Sequence, residues 1–110
     1  VETDSVQFAN NSEITTLKID DLNGTGELDS FSINDFKSAK YIIRASGASD
    51  IHCSEVLLLA DGSNVYITQY GVLGDTDLIS FSADVSSNTV ALSGTSTESL
   101  EVSIYKFLLS

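Results

Sequence analysis

The sequence predicts an all-β fold, an antiparallel β-sandwich of jelly-roll-like character. Apolar residues recur at alternate positions in short runs, and Gly, Asp, Asn and Ser interrupt those runs at spacings of about 8 to 12 residues. No segment carries a helical stripe. Proline, methionine and tryptophan are absent, and serine and threonine dominate the polar positions, as suits strands whose outer faces carry short hydroxyl side chains. The pattern calls for roughly eight to ten strands and no long helix.

The elements follow in order. Val1 to Ser12 is polar apart from Val6 and Phe8 and is open to two readings, a linker or a first edge strand. Glu13 to Ile19 reads as a strand through Ile14, Leu17 and Ile19, and Leu28, Phe31 and Ile33 mark a second one after a loop from Asp20 to Gly26. Ser38 to Ser46 alternates through Ala39, Tyr41, Ile43 and Ala45. Further strands are expected at Ile51 to Ala60, Asn64 to Val72, Leu78 to Val85, Thr89 to Ser93 and Glu98 to Leu109. Turn chemistry separates them at Gly47 to Asp50, Asp61-Gly62, Gly74 to Asp77, Ser86 to Asn88 and Gly94 to Thr97.

A two-residue Asp61-Gly62 loop sets a hairpin register in which Ala60 pairs with Ser63, Leu58 with Val65 and Val56 with Ile67, and Gly62 takes a positive φ. That face belongs to the core. The opposite face then carries Leu57 by Tyr66, Glu55 by Thr68 and Cys53 by Tyr70, which is too apolar for plain solvent surface. Another strand of the sandwich or a second chain is expected to cover it.

Composition bounds the function. A chain of 110 residues fits a single β-sandwich domain over residues 1–110, able to bury about 65% of its unfolded surface. The single cysteine, Cys53, excludes an intrachain disulfide and a four-cysteine zinc site. Sixteen acidic residues against five basic ones give a net charge of −11, which repels phosphate backbones and argues against a nucleic-acid partner. The longest unbroken apolar run is Val56 to Ala60, too short for a membrane span, and Val1-Glu2-Thr3-Asp4 is no secretion signal. Val1 is not a translation start, so the chain is expected to be a piece of a longer protein.

Candidate chemistry is sparse. His52 is the only histidine; without a strand-turn-helix nucleophile elbow it reads as a surface or strand-edge residue, and no catalytic residue is assigned. Cys53 reads as a small, buried or half-buried hydrophobe. The loop from Asp20 to Asp29 has the oxygen density calcium prefers, with Asp21, Asn23 and Asp29 as candidate ligands. Ser32, however, stands where a bidentate glutamate belongs. A solvated turn is the plainer reading, and no cofactor is expected. Lys40 and Arg44 lie on the face opposite Tyr41 and Ile43, placed either to pair with Glu55, Glu98 or Glu101 or to recognise an anionic sugar. Tyr66 and Tyr70 share one strand face, where tyrosines pack in a sheet, stack on sugar rings or meet a second subunit.

Two segments carry a resemblance. Phe36, Lys37, Ser38, Ala39, Lys40 and Tyr41 lead into a strand; Glu55 then opens an apolar strand, Asp61-Gly62 turns it, and Tyr66, Thr68, Tyr70 and Gly71 follow. With Leu78, Phe81, Ala83, Val90 and Leu92 in the next two strands, the region from Phe36 to Leu109 resembles a C-terminal-type β domain of structural proteins of tailed bacteriophages, marine and cyanobacterial phages above all. Related sequences often carry histidine just before Asp-Gly where this chain has Ala60, so no role of that histidine transfers.

The resemblance implies a non-enzymatic virion protein, a tail, fibre or neck component, serving as a building block or host-recognition tip. Its implied partners are copies of itself, as a homo-oligomer such as a trimer, other virion proteins and host surface glycan. The alternative is a carbohydrate-binding β-sandwich module using Tyr66, Tyr70, Lys40 and Arg44.

Overall fold

A computed structural model describes residues 4–110. Nine strands follow one another: β1 (Asp4–Gln7), β2 (Glu13–Leu22), β3 (Thr25–Ser32), β4 (Ser38–Ser46), β5 (Ile51–Asp61), β6 (Asn64–Gly74), β7 (Ile79–Ser86), β8 (Thr89–Ser96) and β9 (Leu100–Leu109). All pair antiparallel, and no helix occurs among the described residues. The expected antiparallel β-sandwich is present. Its strands divide into a six-stranded sheet, in the order β1-β2-β9-β4-β5-β6, and a three-stranded sheet, β3-β8-β7.

The first segment resolves as an edge strand: Val6 pairs with Ile14 and Gln7 with Glu13. β4 occupies the expected span, and its alternation is kept, with Ala39, Tyr41, Ile43 and Ala45 buried. Alternate residues of β5 and β9 join them, through Val56, Leu58, Ala60, Val102, Ile104 and Leu108. The small sheet supplies Leu28, Phe31, Ile79, Val90 and Leu92 to the same core. Burying an aliphatic side chain of this size contributes about 1.5 to 3 kcal/mol, so the period-2 pattern on β4, β5 and β9 selects the face that meets the small sheet.

Two local expectations are corrected, and β3 adds a bulge. The β5–β6 hairpin pairs Asp61 with Asn64, Ala60 with Val65 and Leu58 with Ile67, so the two-residue loop is Gly62-Ser63. Gly62 has the expected positive φ, +61°. Glycine at the first central position, with Ser63 on the negative side, fits a type II′ turn rather than an Asp-Gly type I′ turn. The register differs from the expected one by two residues, and an even shift leaves every side chain on its face. β8 runs on through Gly94 to Ser96; a Cβ at 94 would crowd Leu28 and Ile79 at 3.0 and 3.3 Å, so glycine lets those core side chains reach the central strand of the small sheet. β3 carries a bulge between Glu27 and Asp29, which turns both Leu28 and Asp29 inward where strict alternation would send one of them out.

Candidate functional site

Two polar groups of residues lie inside the sandwich. His52, expected at a surface or strand edge, is instead fully buried. Its Nδ1 lies 2.8 Å from the carbonyl oxygen of Asp75, which only accepts, so Nδ1 carries the proton and donates. Nε2 then accepts from the Ser54 hydroxyl at 2.9 Å, and Gln69 Nε2 donates to that same oxygen at 3.1 Å. The Phe81 ring of the small sheet lies beside the imidazole, 6.3 Å between centroids. The network ties β5 to β6 and to the crossover that follows β6. Ser54 and His52 have the atoms of a nucleophile and its base, yet both are sealed from solvent, and Asp75 contributes its backbone carbonyl rather than its carboxylate.

The second group joins the sheets. Lys106 on β9 donates to Asp29 Oδ1 at 2.7 Å and Tyr41 on β4 donates to Asp29 Oδ2 at 2.8 Å, so both carboxylate oxygens are satisfied. The Tyr41 phenol is held well above its usual pKa, first by burial and then by the Asp29 carboxylate. Of the calcium candidates, Asp29 is therefore committed to Lys106 and Tyr41, Asp21 accepts from the Ser99 hydroxyl, and Asn23 stands in the short β2–β3 connection. No cluster of three or more His, Cys, Asp or Glu suited to a metal ion occurs among the described residues.

The sugar-directed candidates lie elsewhere, on the outer face of the six-stranded sheet. The registers place side chains there in rows across the strands. Leu109, Ser38, Leu59 and Tyr66 form one row; Val6, Ile14, Phe107, Lys40, Leu57 and Thr68 the next; Thr16, Tyr105, Ile42, Glu55 and Tyr70 the third; Lys18, Ser103, Arg44, Cys53 and Leu73 the fourth. Tyr66, Tyr70, Lys40 and Arg44 thus share one open face. Lys40 pairs with Glu55 at 3.2 Å, one of the expected partners. The hydrogen bond and charge of Glu55, with the nearby Tyr70, hold the ammonium above its usual pKa. Lys18 takes Glu101 at 3.5 Å, while no carboxylate lies within ion-pair distance of Arg44 among the described residues.

None of the described residues covers this face. Leu57 is 45% exposed, Leu59 49%, Tyr66 56%, Tyr105 46% and Leu109 55%. Tyr105 and Phe107 meet edge to face at 5.5 Å, and at one corner Ile14, Phe107 and Leu109 continue into an open cleft of about 580 Å³ that Phe8 also lines. The hairpin pattern exposed only the β5–β6 part of the surface; the contributions of β9 and β2 emerge from strand order, which places β9 between β2 and β4. Alternation of Glu101, Ser103, Tyr105, Phe107 and Leu109 opposite the buried residues of β9 was the available signal. The small sheet's outer face is of another kind, built from Ser80, Ser82, Asp84, Thr89, Ser93, Thr95, Ser30 and Glu27.

No protein-family model matches the chain, and no curated protein matches it. Among solved structures, it is similar to the tailspike protein gp49 of Acinetobacter baumannii bacteriophage Fri1, a capsular polysaccharide depolymerase, with a TM-score of 0.57 and 17% identity over 96% of this chain and 19% of that one. It is also similar to the tailspike protein of Acinetobacter phage vB_ApiP_P1, with a TM-score of 0.55 and 13% identity over 84% of this chain and 21% of that one. The chain thus spans about a fifth of the length of each tailspike, and what it shares with them is the sandwich fold.

Proposed function

We propose that this chain is a non-enzymatic structural domain of the tail apparatus of a tailed bacteriophage, a tail, fibre or neck component resident in the virion. The carrying observation is that its sandwich recurs within two phage tailspike chains. The resemblance of the region from Phe36 to Leu109 to structural proteins of marine and cyanobacterial phages points the same way and adds a source. In this reading the domain assembles with copies of itself and with other virion proteins, and the polar groups inside the sandwich serve its stability. Antibody against the domain, applied to particles of the source phage, is expected to decorate the tail in electron micrographs. Unlabelled tails, or release of reducing sugar from host capsule by the purified domain, would reject the reading.

A second reading is a glycan-binding module at a host-recognition tip. The observation that favours it is the presentation of Tyr66 and Tyr70 on one open face with Lys40 and Arg44. Titration with host capsular oligosaccharide, compared with Tyr66→Ala, decides it: saturable heat lost in the variant supports this reading, and no heat removes it.

A further inference from the structure

We infer that the outer face of the six-stranded sheet is an interface between two copies of this chain, packed sheet against sheet. The inference deepens the reading above and rests on it in one respect, that copies of the chain meet in one assembly. The surface itself follows from three observations.

The first is the contrast between the two outer faces of one sandwich. The small sheet turns hydroxyls and carboxylates to water, while the large sheet turns out Leu57, Leu59, Tyr66, Tyr105, Phe107 and Leu109. Scattered single apolar residues on a surface need no explanation, but two groups on one face, Leu57, Leu59 and Tyr66 on β5–β6 and Tyr105, Phe107 and Leu109 on β9, on either side of β4, mark a contact.

The second is charge. Of the five cations in the chain, Lys18, Lys40 and Arg44 lie on this face, beside Asp20, Glu55 and Glu101. With Asp61, which shares the outer side of β5, four carboxylates stand against three cations, so most of the domain's net charge of −11 sits elsewhere. Two copies approaching through a strongly acidic surface repel one another; through this face, close to charge balance, they repel least. Arg44, lacking a carboxylate on its own chain among the described residues, keeps its guanidinium for an acceptor on the second copy.

The third is size. Six strands about 4.8 Å apart and about nine residues long give the face on the order of 700 Å², close to the roughly 800 Å² that each partner contributes to a standard stable interface. Two such faces packed about 10 Å apart would bury the apolar side chains of β5–β6 and of β9 against their counterparts, around the Lys40–Glu55 pair.

Sedimentation equilibrium of the 110-residue chain across concentration and salt is the test. The expected result is a mass that climbs above the 11.7 kDa of the monomer with concentration, and more readily as salt screens the acidic flanks. Leu57→Glu and Tyr105→Glu each place a like-charged pair in the contact and are expected to raise the dissociation constant about a hundredfold or more. Ser93→Glu on the small sheet leaves it unchanged. Alkylation of Cys53, which lies on the same face, by a bulky maleimide keeps the question answerable if a variant misfolds: in the wild-type chain its rate should fall as concentration rises. A monomer throughout, association that survives both glutamate variants, or an alkylation rate independent of concentration would overturn the proposal. Decorated virion tails with a monomeric chain would reject this interface and leave the virion reading standing.

Discussion

The carboxylate of Asp29 and the ammonium of Lys106 meet at 2.7 Å across the interior of the sandwich, one from each sheet, with side chains 7% and 10% exposed. They lie 77 residues apart in the chain, and the bulge in β3 turns the acid inward. Removing one partner leaves a buried charge, so Asp29→Ala and Lys106→Ala are each expected to destabilise by about 3 to 5 kcal/mol. Replacing the whole group, Asp29→Leu with Lys106→Met and Tyr41→Phe, removes every orphaned atom at once and should return stability to within about 1 to 2 kcal/mol of wild type. Urea denaturation of the set checks this; single variants as stable as wild type would show that the pair is solvated.

At high pH two groups, Tyr41 inside the sandwich and Lys40 on its outer face, should weaken the fold. Tyr41 is held above its usual pKa by burial and by Asp29, and Lys40 by Glu55. In the unfolded chain both groups release protons near about pH 10 to 10.5, whereas the folded chain keeps them. The folded state then binds more protons, so stability falls as pH rises. Their contribution is fully present below about pH 10 and is lost as pH climbs through the folded-state values. Tyrosinate absorbance should show one ionisation that appears only with unfolding and that Tyr41→Phe removes; absence of that coupled step would contradict the burial of Tyr41.

The β5–β6 turn depends on Gly62. At φ +61° a β-branched residue clashes with its own backbone, and Gly62→Val should cost about 1 to 3 kcal/mol. No atom lies within 4 Å of a Cβ built at 62, so the loss is conformational and not steric against neighbours. Thermal melts that coincide with wild type would mean that the turn adopts another geometry.

Ser54→Ala tests the buried histidine. It removes the donor to His52 Nε2 and the acceptor for Gln69, and each unsatisfied buried group costs about 1 to 3 kcal/mol. Hydrogen exchange should accelerate most in β5, β6 and the crossover after β6. A uniform loss across both sheets would argue against a local role.

Added calcium should leave the melting temperature within error, because a ligand selective for the folded state must raise it and Asp29 is already engaged by Lys106 and Tyr41. A clear calcium-dependent rise would make Asp21, Asn23 and Asp29 ligands after all.

The sequence by itself determined most of the strands after residue 12 and which side of β4 and β5 faces inward; it left the first segment open between linker and edge strand. Ala39, Tyr41, Ile43 and Ala45 on β4, and Val56, Leu58 and Ala60 on β5, are buried as their alternation requires. The pleat sends successive side chains to opposite faces whatever the partner strand. Alternation carries no more than that. It fits the β5–β6 hairpin equally well in two registers two residues apart, and the turn geometry at Gly62 selects one. It cannot register the extra residue at the β3 bulge that aims Asp29 at Lys106, nor the Asp75 carbonyl 23 residues away that fixes the ring of His52. It showed that the hairpin's outer face was too apolar for water but not how far that face extends. Only the tertiary arrangement decided this, by placing β9 beside β4 and by covering one side of a six-stranded sheet with three strands, with no described strand over its other side. Such choices rest on contacts between residues far apart in the chain, where local pattern exerts no constraint.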